Sequence, residues 1–501
     1  MLRWLTRFYK NMRNLSKSKY LNGLQCHKLL WVAVNDAKRI PPTDAATQYV
    51  FDQGHLVGEL AHRLYSDGIN LDTSSIAGNL RQTQASLQLR KPLFEAGFSA
   101  NRMYCRVDVL KPAGEDEWDI VEVKSTNSAK DEHVQDVEFQ RHCCLNAGLK
   151  IRGCHVMHLD KNYIRQGEID PGRLFTAQEV TSRLDQAAGV FENRLAAMLA
   201  VIDSGKCPEA AIGRHCNSPH SCPLQGECWA NMPEQNVMTL YGGKKLGEDL
   251  IARGILDIGS IPADVALDSR QHIQKQCADS NISHISTGEV RSFLAGLVYP
   301  LYFMDFETFS AAIPIYDGSR PHQKIPFQFS VHSLAAPGAG PEHYSYLAEG
   351  RDDPRPAFTA ELCKAVGPGG TVLVYSAPFE KSVLKELAES LPAYSERVES
   401  IMARIVDLNL PFRKFSCYHP DQAGSTSLKQ VLPAMTDLKY GEMEISEGQT
   451  ASLKFMESVF GDITPEEIQK IRADLIAYCG LDTYGMVEIV RRLEQAVEGA
   501  P

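Results

Sequence analysis

Three groups of residues in this chain of 501 have types and spacings that could do chemistry. In the first, Asp108 closes one apolar stretch, and WDIVEVKS follows after a turn containing Pro112 and Gly114. Glu122 and Lys124 are two apart, so on a strand both side chains project from one face. A hairpin would bring Asp108 beside Glu122. Two carboxylates and an ammonium suit metal-assisted phosphodiester hydrolysis. The acids hold a hard cation through oxygen, while the lysine orients or helps deprotonate the attacking water and stabilises charge developing on the phosphate. The same residues also suit a half-buried strand with a surface Glu–Lys pair. Upstream, GELAH sets Gly58 and His62 at i and i+4 on one helix face, with a histidine suited to a further ligand or phosphate contact. Downstream, DVEFQRHCC sets Gln140 on a helix.

The second group is sulfur. Cys216, Cys222 and Cys228 recur at intervals of six in HCNSPHSCPLQGECW. The prolines and glycine between them favour a wrapping loop, which lets thiolates converge on one centre. Cys26 in LNGLQCHKLLW is the best fourth ligand, with Cys207 and His215 as alternatives. Such a set suits zinc or an iron–sulfur cluster. Cys105, Cys143, Cys144 and Cys154 read as ordinary buried cysteines. The third group is acidic. Asp305 and Glu307 are two apart in PLYFMDFETFS, Glu380 opens a helix in VLVYSAPFEKSVL, and Tyr478 and Asp482 are i and i+4 in YCGLDTYGM. Asp407 in RIVDLNLPF is a possible substitute for Glu380. Carboxylates on a buried strand and on helices are costly to bring together unless a cation neutralises them. A two-metal site has this composition, one ion activating water and the other stabilising the leaving oxygen.

The elements that must position these groups divide the chain into three parts. Residues 1 to about 230 hold strands near Met103–Leu110 and Trp118–Val123 and helices near Val134–Asn146 and Ala177–Asp203. Residues 231–296 read as a polar helical connector with no core of its own, in which Leu246–Ile261 forms two short helices or one helix stopped at Gly254. From 297 to 501 strands are expected at Leu301–Phe306, Phe327–Ser333, His343–Leu347 and Thr371–Tyr375. Helices are expected at Arg355–Val366, Glu380–Ser390, Ser427–Met435 and Pro465–Arg492. That alternation predicts an α/β fold with helices on the faces of a sheet.

Composition bounds the partners. Hydrophobic residues at 44% and charged residues at 23% exclude wholesale disorder. Lys plus Arg (52) less Asp plus Glu (62) gives −10, against a generally basic nucleic-acid coat. Yet residues 1–39 carry nine Lys or Arg against Asp36 alone, a basic arm on an acidic body that can meet a polyanion locally. No apolar run is long enough to span a bilayer, so no membrane partner is expected. The opening MLRWLTRFYKNMRN lacks the apolar core and cleavage site of a signal peptide, and Met12 equally fits as the start. Thirteen cysteines without an export signal point to a reducing compartment, hence a cytoplasmic location.

The ordered set of His62, Asp108, Glu122-x-Lys124 and Gln140 resembles the RecB-like branch of the PD-(D/E)XK nuclease superfamily. That resemblance implies a restriction-endonuclease-like domain over 1–230, with His62, Asp108 and Glu122 as metal ligands for Mg²⁺ or Mn²⁺. Lys124 becomes the catalytic lysine and Gln140 a substrate-side residue, while Cys144 stands where the family often has Tyr. One cysteine before the core and three after it is similar to nucleases of the AddB and CRISPR-associated exonuclease types. This implies a 4Fe–4S cluster on Cys26, Cys216, Cys222 and Cys228, acting as a structural staple. Asp305, Glu307, Asp482 and Tyr478 resemble the DEDD (DnaQ-like) exonuclease superfamily on an RNase H-like fold. There the acids are metal ligands and Tyr478 orients water, with Glu380 where the family usually has Asp. Together the halves resemble a bacterial two-domain family of unknown function, through LSKSKYLNGLQC, MDFET, IPFQFS and SLKQVLP. The expectation is a metal-dependent DNA nuclease, an exonuclease on duplex ends or single strands, with protein partners left open. Trp31 and Phe139 would contact bases or fill the core. The alternatives are an RNA 3′-exonuclease acting through the C-terminal domain and a nucleic-acid-binding or assembly protein with degenerate sites.

Overall fold

Alternation of apolar residues builds the first sheet. In the strand Met103–Ala113, Met103, Cys105, Val107 and Val109 are buried on one face. A turn with Gly114 at φ +53° returns the chain into Glu117–Val123, with Val109 opposite Val121. The computed structural model describes residues 14–441 and 443–498. The readings of MLRWLTRFYKNMRN, of Met12 and of the first part of the basic arm lie outside the described residues. No helix among the described residues is long and apolar enough to cross a membrane.

The chain forms two compact units and is mixed α/β throughout. The first comprises the residues up to Ala230 together with Ala311–Gln323. Its sheet runs in the order Ile69–Asn70, Leu93–Ala100, Met103–Ala113, Glu117–Val123, Lys150–Leu159, Phe175–Glu179. Leu15–Ser16 pairs in parallel with Met103 and Tyr104. The helix Asp131–Asn146 is the crossover between the parallel strands Glu117–Val123 and Lys150–Leu159, and it buries Val137, Phe139, Cys143 and Cys144 against the sheet. The helix expected from Ala177 starts later, at Thr181. Phe175–Glu179 instead pairs antiparallel with His155–Leu159, because the edge of the sheet offers partners for backbone groups that a helix would satisfy internally.

The second unit comprises Asn231–Ser310 and the chain from Lys324 onward. Its five-stranded sheet runs Glu342–Leu347, Ile325–Leu334, Leu301–Phe309, Thr371–Val374, Ile405–Asp407. The first two pairings are antiparallel and the last two parallel. Leu301–Phe309 is buried at nearly every position, as a central strand covered on both faces must be. The helix Pro465–Glu498 buries Ile471, Leu475, Tyr478, Asp482, Met486 and Ile489, a stripe at three- and four-residue spacing. Residues 231–296, expected to lack a core, bury Val237, Leu240, Leu250, Ile258 and Ile261 together. Gly254, at φ +77°, stops the helix Lys244–Ala252, and no second helix follows before Ser269.

Candidate functional site

The hairpin delivers the first centre. Glu122 is fully buried, and three donors converge on its carboxylate. Oε1 accepts Lys17 Nζ at 2.6 Å and Lys124 Nζ at 2.7 Å, while Oε2 accepts Gln140 Nε2 at 2.5 Å. Lys124 donates also to Asp136 Oδ2 at 2.5 Å. Asp108 Oδ2 accepts the Val123 N–H at 2.8 Å, which locks it across the hairpin. Burial works to raise the Glu122 carboxyl, but the Lys124 and Lys17 ammoniums outweigh it and hold Glu122 well below the usual range. Asp108, half-buried, desolvated and beside that charge, is pushed up to about 7. Burial pulls Lys124 down, yet Glu122 and Asp136 hold it above its usual value. Lys124 is therefore an ammonium at neutral pH, suited to orienting water and stabilising anionic charge rather than to accepting a proton.

Two residues stand differently from expectation. Gln140, expected on the substrate side, is fully buried and donates to Glu122 and to the Arg106 carbonyl, so it positions the carboxylate. His62 ends the helix Ala45–His62, and its ring lies flat on Phe94 with centroids 3.9 Å apart. It does not join Asp108 and Glu122 in a set whose ligand atoms all lie within 4.8 Å of one another. Of the aromatics considered for base contacts, Phe139 is wholly in the core and the Trp31 indole donates to the Ser204 carbonyl at 2.9 Å. Cys144 is likewise core, packed among Cys105 and Cys143.

Cys26, Cys216, Cys222 and Cys228 line one small cavity, shared with Lys28 and His215. All four are free thiols. Cys26 follows the helix Lys17–Gln25 directly, and the other three come from the loop, where the Cys222 N–H donates to the Cys216 carbonyl at 2.8 Å. Lys28 Nζ donates to Cys228 Sγ at 3.3 Å. Cys207 does not line the cavity and faces Arg39 Nη1 at 3.9 Å. No three of the four sulfurs lie within 4.8 Å of one another.

The second acidic centre is the tightest. Among the described residues, Asp305, Glu307 and Asp482 form the one set of potential ligands whose atoms all lie within 4.8 Å of one another. The strand Leu301–Phe309 supplies the first two, and Pro465–Glu498 supplies the third. Glu380 enters from the first turn of Ala377–Ser390, after Ser376, a non-glycine residue held at φ +120°. It is buried close enough to raise Asp305, and its Oε2 has no hydrogen-bond partner. Burial, reinforced by neighbouring acids, pushes Asp305 well above its usual value and Glu307 up to about 8. Burial also pushes Glu380 up to about 8 and Asp482 up to about 6. Asp407, the possible substitute, is engaged by Arg413 at 2.9 Å and the Asn409 N–H at 3.0 Å, which leaves Glu380 as the fourth acid.

Tyr440 donates to Asp482 Oδ1 at 2.5 Å, beside Tyr478, which also hydrogen-bonds Asp482. Lys429 Nζ lies 5.9 Å from the centre of the Tyr478 ring and favours the anionic forms of Glu307 and Asp482. A Tyr440→Phe variant removes one donor from Asp482. Its Mn²⁺ binding, followed calorimetrically from pH 5 to 9, is expected to need a pH about 1 unit higher, because a carboxylate loses stabilisation of its charged form.

Sequence patterns missed Lys17, Asp136 and Tyr440. Asp136 had a signal, since it lies four residues before Gln140 on one helix face. Lys17 had none, being 105 residues from Glu122, and Tyr440 lies in a loop 42 residues before Asp482.

The model of a family described as a domain of unknown function, DUF2779, matches residues 302–427. That stretch includes Asp305, Glu307, Glu380 and Asp407 and stops short of Tyr440, Tyr478 and Asp482. An uncharacterized protein, UU173, of Ureaplasma parvum serovar 3 is 25% identical over 221 residues, covering 40% of this chain and 32% of that protein. The chain thus aligns with about a third of the relative it matches.

Proposed function

We propose that this chain is a metal-dependent phosphodiester hydrolase acting on DNA ends or single strands, with a 4Fe–4S cluster on its four loop and helix thiols. The observation that carries the reading is the convergence of half-buried Asp305 with buried Glu307 and Asp482, with Glu380 beside them. So many carboxylates gathered out of water are stable only with protons or a cation among them. Mg²⁺ or Mn²⁺ on these oxygens would supply Lewis acidity and neutralise phosphate charge. Tyr478 and Tyr440 orient Asp482, and Tyr478 also offers a hydroxyl to the attacking water. At the first centre Lys124 stabilises charge on the phosphate, and Asp136 and Gln140 hold Lys124 and Glu122 in place.

Four thiols suit either zinc or an iron–sulfur cluster, and the one-before, three-after order of the cysteines supports the cluster by its resemblance to the AddB and CRISPR-associated exonuclease types. The role of the cluster would be to tie the N-terminal helices to the 216–228 loop. The free thiols fit a reducing cytoplasm. A second reading, an RNA 3′-exonuclease acting through the second unit, draws on the same set, since among the described residues that unit alone gathers three acids within 4.8 Å.

The test is cleavage of labelled single-stranded DNA, duplex DNA and RNA by anaerobically purified protein with Mg²⁺, Mn²⁺ or chelator, with the visible spectrum recorded. A brown protein that degrades DNA only with the cation is expected. A colourless zinc protein without cation-dependent cleavage would overturn the reading. RNA degradation lost in Asp482→Asn but kept in Lys124→Ala would select the second.

A further inference from the structure

Two ammoniums crowd one oxygen of the Glu122 carboxylate, and an amide holds the other. Lys17 and Lys124 share Oε1, and Gln140 occupies Oε2. A cation can take a place on Oε1 only if one of the two ammoniums leaves. Lys124 is tied a second time, to Asp136. Gln140 is fully buried and tied a second time, to the Arg106 carbonyl. The Lys17 ammonium is hydrogen-bonded to Glu122, and its side chain keeps 28% of its surface exposed.

We propose that Lys17 is the resident counter-ion of this centre, holding at Glu122 the place that a divalent cation takes and turning to the substrate phosphate when the cation enters. The proposal rests on the nuclease reading and names a residue that reading does not include.

The fold holds the backbone of Lys17 while leaving its side chain able to move. Leu15 and Ser16, just before it, pair with Met103 and Tyr104, and the Ser16 hydroxyl caps the helix by accepting the Lys19 N–H. The other end of that nine-residue helix, roughly 13 Å away, runs into Cys26 at the thiol cavity. The four-carbon lysine stem can swing without disturbing either anchor. Charge gives the direction of the exchange. Asp108, Glu122 and Asp136 face Lys17 and Lys124, so three acids meet two ammoniums. A dication entering with both ammoniums still in place would meet like charges within contact distance, and expelling Lys17 removes that repulsion. The expelled ammonium would then be free to meet a phosphate oxygen of the substrate.

The experiment is Mn²⁺ titration calorimetry on the full chain carrying Asp482→Asn, which weakens the second centre, with Lys17 wild type, Lys17→Met or Lys17→Arg. Methionine keeps the stem and removes the charge, so Mn²⁺ is expected to bind about tenfold tighter. Arginine grips a carboxylate with a bidentate fork, so Mn²⁺ is expected to bind no tighter than to wild type. At saturating Mn²⁺, DNA cleavage by Lys17→Met should fall about tenfold in kcat, since the phosphate loses its ammonium. Equal or weaker Mn²⁺ binding by a folded Lys17→Met protein, or tighter binding by Lys17→Arg, would overturn the proposal. Should Lys17→Met not fold, the arginine arm decides alone. A wild-type chain that binds Mn²⁺ but cleaves no DNA would fail the nuclease reading, and the Mn²⁺ affinities would still decide the place of Lys17.

Discussion

Lys124→Ala is expected to lower cation-dependent DNA cleavage by about 10³-fold in kcat, the scale of loss when a pre-positioned charge-stabilising donor is removed. The size follows from where Lys124 sits. Its ammonium is clamped between Glu122 at 2.7 Å and Asp136 at 2.5 Å, so on the proposed reading it would meet the phosphate without reorganising. Because those two acids keep it protonated, no loss of a general base contributes, and the deficit should stay nearly constant from pH 6 to 9. Truncation also leaves the buried Asp136 without its ammonium partner, which costs about 1–3 kcal/mol of stability. Single-turnover cleavage of labelled single strands, beside a thermal melt, separates the two effects. Full activity in a folded Lys124→Ala protein would leave the chemistry to the Asp305 centre alone.

The cation-free protein should become less stable as pH rises, and a divalent cation should cancel that loss. Glu307 moves from an ordinary 4.5 up to about 8, Glu380 likewise up to about 8, and Asp482 from 3.8 up to about 6. Between about pH 4 and pH 8 the folded chain therefore holds more protons than the unfolded chain. Stability is fully present below the unfolded values and declines as pH rises through the folded ones. The loss is expected to be several kcal/mol, since each unit of upward displacement is worth about 1.4 kcal/mol. Asp108, pushed up to about 7, adds in the same direction. Melting curves with chelator and with Mn²⁺ at pH 5 and pH 8.5 check this. The gap between them should widen by about 5 °C or more at the higher pH. A gap that does not change with pH would remove the cation from this centre.

The local pattern of the chain carried much of what matters. Period-two spacing put Glu122 with Lys124, and Asp305 with Glu307, on shared strand faces, and the Tyr478–Asp482 spacing put both on one helix face. Prolines and a glycine between cysteines announced a loop, and its three thiols do meet Cys26 at one cavity. These signals are local because strand and helix periods are properties of the backbone itself. The sequence therefore determined which residues could act together within an element, and the α/β class of the elements.

Tertiary structure decided what approaches them from elsewhere. Lys17 reaches Glu122 only because a two-residue strand pairs beside Met103, and Tyr440 reaches Asp482 only through a loop folded onto the long helix. His62 has the right position in the chain, yet it stacks on Phe94. Ala311–Gln323, drawn from between two strands of the second unit, packs within the first. No spacing rule reaches across such separations, since the contact energy is earned only after sheet order and burial have brought the partners together. Burial likewise set the protonation of the acids, because the cost of desolvating a charge depends on the surrounding protein rather than on neighbours in sequence.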